Sequence, residues 1–255
     1  MTRTKPKVAF FDFACCEGCQ LQVANMGELL LDVLGLIEVV EFREVMSEKG
    51  PEKIDVAVVE GSITDKHAIE RIKKIRDRAK VLIAYGSCAT IGGVNGMKNN
   101  FKLDDIRKEV YGDRFNYFDT VETKAVHQVV KVDYFVNGCP VYIPEFVKVL
   151  KAALQGIPYE VPDHAVCVEC KLNENVCMYD RGVACMGPVT RAGCNSWCIN
   201  NGNICYGCRG MVSNPNENGA MDIIKKYNIP MDMVINKMNM YNKCREIDKR
   251  EQKKR

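Results

Sequence analysis

No apolar run in this chain of 255 residues approaches the roughly 20 residues that a helix needs to cross a bilayer, so a helical membrane span is not expected. The opening stretch MTRTKPKVAFFDF is basic but passes straight into a strand-like run. It lacks the apolar core, small-residue cleavage site and paired arginines of an export signal, and a cytoplasmic location is expected. A nucleotide-binding fingerprint is missing too. IGGVNG (91–96) is rich in glycine but fits neither the dinucleotide nor the P-loop spacing. It reads as a close-packing loop near Cys88. No basic face is interleaved with aromatics, so nucleic acid is not an expected partner. No serine or cysteine nucleophile with a positioned base can be argued, and no catalytic residue is assigned. Histidine is scarce, with three residues. His67 and His127 read as ordinary surface or packed side chains, whereas His164 stands close enough to Cys167 to compete as a ligand.

What is there, by contrast, is cysteine: 14 of them. In a short exported chain that number would mean disulfides, but this chain is long enough for a buried core and carries no export signal. In a reducing compartment, clustered cysteines read as metal or iron–sulfur ligands. Charge says less. The formal net charge is +3, with seven basic and three acidic residues in the tail over 243–255 and a nearly neutral remainder. The plain reading of the tail is a solvated helix end.

The chain divides into two halves with different patterns. Residues 1–156 alternate strand-like and helix-like segments: strands over 7–13, 37–42, 54–61, 80–89 and 131–140, and helices over 19–35, 65–79 and 141–156. That alternation predicts an α/β domain with a parallel sheet covered on both faces. Cys15, Cys16 and Cys19 follow the first strand, Cys88 follows VLIAYG, and Cys139 follows YFVNG. All lie just past carboxyl ends of predicted strands, where open parallel sheets gather their sites. Gly86, Gly138 and Pro140 flank them, so the sulfurs are expected on turns. Residues 157–255 contain nine cysteines and little periodicity over 167–210. Such a segment is not expected to build a conventional core and must be held by something else. Eight of its cysteines form two consecutive fours: Cys167, Cys170, Cys177 and Cys185, then Cys194, Cys198, Cys205 and Cys208. Two short surface helices are expected after them.

Four-cysteine sites suit zinc or iron–sulfur. Only Cys167/Cys170 and Cys205/Cys208 have the paired spacing of zinc ribbons, and the irregular gaps favour iron–sulfur. The ferredoxin run of three close cysteines ending in Cys-Pro is absent.

CEGCQ (16–20), VEGSI (59–63), GSCATIGG (86–93), NGCP (137–140), CMGPVTRAGC (185–194) and CYGCRG (205–210), in this order, resemble the small, electron-transferring subunit of cytosolic [NiFe] hydrogenases, of the sulfhydrogenase delta or methyl-viologen-reducing hydrogenase gamma type. The likeness runs over about 6–245. It implies a flavodoxin-like domain followed by an irregular domain organised by clusters, and three [4Fe-4S] clusters in all. The inner one would be held by Cys16, Cys19, Cys88 and Cys139. The middle one would be held by Cys194, Cys198, Cys205 and Cys208, and the outer one by Cys167, Cys170, Cys177 and Cys185. Periplasmic members have a proline in place of one middle cysteine and a histidine at the position of Cys167, and this chain departs from them at both. With Cys88 and Cys139 supplying the far corners of the inner site, Cys15 would be a free thiol beside it. The implied partners are a [NiFe] large subunit, which splits hydrogen, and an electron-accepting subunit bearing flavin or iron–sulfur. That acceptor would be linked to NAD(P), a deazaflavin or heterodisulfide reductase. Arg191 and Arg209 could be cations beside clusters or surface residues. Glu17 and Glu60 could face the large subunit or be polar loop residues. The tandem Cys15-Cys16 keeps a second reading open, the cluster-bearing subunit of a complex I-like, quinone-linked or membrane-bound hydrogenase complex. A zinc-stabilised binding protein is a third.

Overall fold

The computed structural model describes residues 4–244, so most of the basic tail lies outside the described residues. Chain order begins β1 (Lys7–Asp12), α1 (Gly18–Ala24), α2 (Glu28–Leu36), β2 (Glu38–Phe42), β3 (Ile54–Glu60), β4 (Ile63–Asp65), α3 (Lys66–Arg78), β5 (Ala79–Tyr85) and α4 (Gly86–Ile91). It continues through α5 (Leu103–Tyr111), β6 (Thr120–Lys124), β7 (Tyr134–Val136), α6 (Ile143–Gln155), α7 (Val166–Leu172), α8 (Trp197–Asn200), α9 (Glu217–Lys226) and α10 (Met231–Asn242).

Five strands form one parallel sheet in the order β2-β1-β3-β5-β7. Counted within the sheet this is 2-1-3-4-5, the flavodoxin-like order, whose topological switch lies between β1 and β3. The strand period of two sorts the side chains onto two faces. Val8, Phe10, Val56, Val58, Ile83 and Tyr85 pack with Phe146, Val149 and Leu150 of α6. Ala9, Phe11, Ala57, Val59, Leu82 and Ala84 pack with Ala68, Ile72 and Ile75 of α3. The expected α/β architecture is therefore present. Asp65 starts α3 by accepting the Ala68 N–H at 2.7 Å, and Gly156 ends α6 at φ 67°.

Four expectations need correction. The helix over 19–35 is two helices, because Gly27 takes φ 62° and ψ −134° between them. The strand over 131–140 shrinks to Tyr134–Val136, since the Asp133 carboxylate takes up the Leu82 N–H and pairs with Arg76. Cys88 lies on α4 instead of a loop, whereas Cys19 lies on α1 as the helix predicted from residue 19 implies. The second half does own an apolar cluster, built from Val166, Met178, Tyr179, Met186, Ile199, Ile204 and Val234 together with buried Cys170, Cys185 and Cys205. The paired strands β4 and β6 had no expectation attached to them.

The two expected terminal helices exist as α9 and α10, but α10 is not a plain surface helix. Val234 and Tyr241 are buried, and α10 packs against α4 and the 3₁₀ turn Val94–Asn100 of the first half. No helix among the described residues is long and apolar enough to cross a membrane.

Candidate metal centres

The carboxyl edge of the sheet carries the first group of sulfurs. β1 leads to Cys16 and Cys19, β5 leads through Gly86 to Cys88, and β7 leads to Cys139, whose bond to Pro140 is cis. Cys19 feels charge on Cys139 and Cys88, Cys88 feels charge on Cys139 and Cys16, and Cys139 feels charge on Cys16, so the four thiols form one electrostatic group. Glycine lets the backbone come this close. Gly86 has φ +85°, and a Cβ there would sit 2.5 Å from the Cys19 sulfur. At Gly93 a Cβ would sit 2.7 Å from the Cys88 sulfur, so IGGVNG does pack closely on Cys88.

Glu60, at the end of β3, lies under this group. It is buried and accepts the N–H groups of Cys19 and Gln20 at 3.1 and 2.9 Å. It is thus neither a surface residue nor a loose loop side chain. Burial, first of all, raises its pKa. Glu17 instead reaches outward to Arg43 at 3.1 Å. Cys15 belongs with these carboxylates. Its sulfur and one oxygen each of Glu17 and Glu60 lie within 4.8 Å of one another, and its thiol donates to the Phe13 carbonyl at 3.3 Å.

The second group surrounds a small cavity of about 50 Å³. Cys194, Cys198, Cys205 and Cys208 line it with Arg209, Tyr241 and, from the first group, Cys139. The third group, Cys167, Cys170, Cys177 and Cys185, lines a cavity of about 30 Å³ with Tyr179 and Pro188. The three are contiguous. Cys198 feels charge on Cys139 on one side and on Cys185 on the other.

The donor chemistry fits thiolate-bound metal. Burial is the leading cause of every raised thiol pKa here, reaching about 12 at Cys88, Cys167 and Cys208. Lone thiolates would be costly in such places, but thiolates neutralised by metal would not. One of the sulfurs already accepts a backbone N–H: the Cys205 N–H donates to the Cys185 sulfur at 3.4 Å. Such donors stabilise the charged form of the sulfur and are a lever on cluster potential.

His164 is exposed and enters neither cavity lining, which favours the all-cysteine third group. His67 and His127 are exposed as well. Arg191 pairs with Asp163 at 2.5 Å and lines neither of these two cavities. Arg209 is fully buried, so a surface role is excluded. Its guanidinium donates to Glu145 at 2.6 and 2.7 Å, to the Ala192 carbonyl at 2.7 Å and to the Asn137 carbonyl at 2.6 Å. Burial works against this cation, yet the Glu145 carboxylate outweighs it and holds the guanidinium above its ordinary range.

Sequence reasoning missed Glu145 and Tyr241. Glu145 had a signal, because it shares the buried stripe of α6 with Val149 and Ala153, where a carboxylate needs a partner. Tyr241, which lines the medial cavity together with Cys139, had none.

Residues 16–153 match the family described as NADH ubiquinone oxidoreductase, 20 Kd subunit. Sulfhydrogenase 2 subunit delta of Pyrococcus furiosus is 36% identical over 236 residues, covering 92% of this chain and 98% of the relative. A subunit of the F420-non-reducing hydrogenase vhu of Methanocaldococcus jannaschii is 30% identical over 249 residues, covering 84% of this chain and 85% of the relative. Among solved structures, a chain of the [NiFeSe]-hydrogenase of Dm. baculatum superposes with a TM-score of 0.58 at 18% identity, over 86% of this chain and 98% of that one. That likeness concerns the fold.

Proposed function

The chain belongs to the NADH ubiquinone oxidoreductase 20 Kd family and, within it, to the hydrogenase electron-transfer subunits; from that premise we propose that it relays electrons for a cytoplasmic [NiFe] hydrogenase through three [4Fe-4S] clusters. The proposed ligands are Cys16, Cys19, Cys88 and Cys139 for the inner cluster, Cys194, Cys198, Cys205 and Cys208 for the medial, and Cys167, Cys170, Cys177 and Cys185 for the distal. One observation supports this reading above the others. The twelve thiols fall into three adjoining groups, with Cys198 electrostatically in touch with both outer neighbours.

When bound, such clusters supply one-electron storage at each station. The residues of this chain supply the rest. Burial excludes water from Cys19, Cys185 and Cys205. The Cys205 N–H, donating to the Cys185 sulfur at 3.4 Å, favours the charged form of that sulfur. Cys139 joins the inner and medial groups, because it also lines the medial cavity. The hydrogen-splitting site would reside in a separate large subunit. A further subunit carrying flavin or iron–sulfur would meet the distal group. As proposed domains, 1–156 carries the inner cluster and 157–255 the other two.

The family description also suits the quinone-linked reading, and Cys15-Cys16 is its specific support. However, the matched span ends at residue 153, before the eight cysteines of the second half. Those cysteines favour the hydrogenase reading.

Anaerobic purification followed by visible spectroscopy and metal counting tests the proposal. Three clusters of four irons predict a brown protein with about twelve irons per chain, bleached by hydrogen when the large subunit is present. A colourless, zinc-loaded chain, or one that never purifies with a nickel-bearing subunit, would defeat it.

A further inference from the structure

Arg209 and Glu145 form a bidentate ion pair with almost no exposure to water. A buried ion pair is commonly no more stabilising than an apolar replacement, so stability alone does not account for it. Its surroundings suggest what it does. Arg209 directly follows Cys208 and lines the medial cavity with Cys194, Cys198 and Cys205; its charge is felt at Cys194, and it feels charge on Cys194 and Cys208. It binds the carbonyl of Ala192, two residues before Cys194, and that of Asn137, two residues before Cys139. The Asn137 amide returns a bond to the Arg209 carbonyl at 2.7 Å. Gly193 leaves room for the pair, since a Cβ there would meet the guanidinium and lie 3.0 Å from a Glu145 oxygen. The other charge close to Cys194 is Glu169, which accepts the N–H groups of Gly193 and Ser196 at 2.7 and 3.1 Å.

We infer that Arg209 is a positioning and potential-setting residue for the medial cluster, and that Glu145 limits how much of its charge the cluster feels. The inference rests on the reading of Cys194, Cys198, Cys205 and Cys208 as an iron–sulfur site. A fixed cation beside a cluster favours its reduced, more negative state, so it raises the potential. The carboxylate offsets part of that effect. The same pair ties α6 to the Cys139 turn and the Cys194 segment, fixing the medial group against the inner one.

The two halves of the pair must therefore move the medial potential in opposite directions, which a merely structural role would not do. The test is a redox titration followed by electron paramagnetic resonance on the assembled complex, with iron counted for each variant. Arg209→Met is expected to lower the medial midpoint, Glu145→Gln to raise it, and Arg209→Lys to restore most of the first shift. The inner and distal midpoints should move less. Tyr159→Phe provides a milder probe, because the Tyr159 hydroxyl donates to Glu145 at 3.1 Å from a partly exposed position. Losing that bond concentrates charge on the carboxylate and should lower the medial midpoint slightly, even where the buried variants fail to assemble. Full iron with shifts of the same sign, or an unmoved medial signal in Tyr159→Phe, would overturn the inference. A parent complex without a medial iron–sulfur signal would instead defeat the reading beneath it.

Discussion

Cys15 and Cys16 are neighbours in sequence with different surroundings. Cys16 joins Cys88 and Cys139, while Cys15 is packed with Glu17 and Glu60. Carboxylates are poor company for a thiolate, so Cys15→Ala is expected to keep full iron content and Cys16→Ala to lose about four irons, read by metal analysis. Loss of the inner signal from Cys15→Ala would point to the tandem-cysteine mode. Gly86→Ala is a sharper perturbation, because its φ of +85° and the Cys19 sulfur both exclude a side chain. The strained backbone alone costs about 1–3 kcal/mol, and the inner cluster should fail to assemble while the other two survive. At this scale the cysteines were legible because clustered thiols have few other uses. Arg209 was not, since an arginine in a loop carries no mark of burial until Glu145, 64 positions away, is seen opposite it.

Elements of the first half were legible for a different reason: both sheet faces are covered, so strands read as apolar runs between amphipathic helices. Where local polar chemistry displaces the ladder, at Asp133 and Gly27, boundaries moved. Phe146 of α6 shows what the covered face contributes. It is fully buried, with ring centroids 4.7 Å from Tyr85 and 6.5 Å from Phe10. Phe146→Ala should cost about 3–5 kcal/mol in denaturant unfolding of the cluster-bearing chain. At the opposite edge, Asp55 of β3 accepts the Lys7 N–H of β1 at 2.8 Å and the Lys80 ammonium of β5 at 2.6 Å. The Lys80 bond comes first in holding its pKa below the ordinary carboxylate value. A depressed pKa means that the folded chain binds this proton less readily than the unfolded one. The stabilisation is therefore present above about pH 4 and lost as pH falls through the folded value. Asp55 is partly exposed and its Lys80 partner is exposed, so screening keeps the effect below about 1 kcal/mol. Asp55→Asn should destabilise slightly at neutral pH and remove that part of the acid dependence, measured as melting temperature against pH.

As a whole, the molecule joins a half built on a sheet with two apolar faces to a half whose apolar cluster includes cysteines. The sheet buries apolar side chains on two faces without any metal. In the second half, Cys170, Cys185 and Cys205 are themselves members of the apolar cluster, and the remaining thiols line cavities beside it. The two fours of cysteines were legible in the sequence, but the apolar cluster around them was hidden, because aperiodic loops give no pattern of burial. The halves meet through Arg209 with Glu145 and Asn137, Ser87 with the Cys208 carbonyl, and α10 against α4. Removing iron by anaerobic chelation should then act unevenly. Without metal the second half must keep its buried thiols neutral, with no bonds joining segments 20 or 30 residues apart, and loop-closure entropy is no longer offset. Amide hydrogen exchange is expected to rise across 157–244 while β1, β3 and β5 stay protected. Because α10 covers the first half's α4, exchange should rise there as well, ahead of the sheet. Uniform loss of protection across both halves would mean that the clusters hold one cooperative unit, and the division at 156 would lose its physical basis.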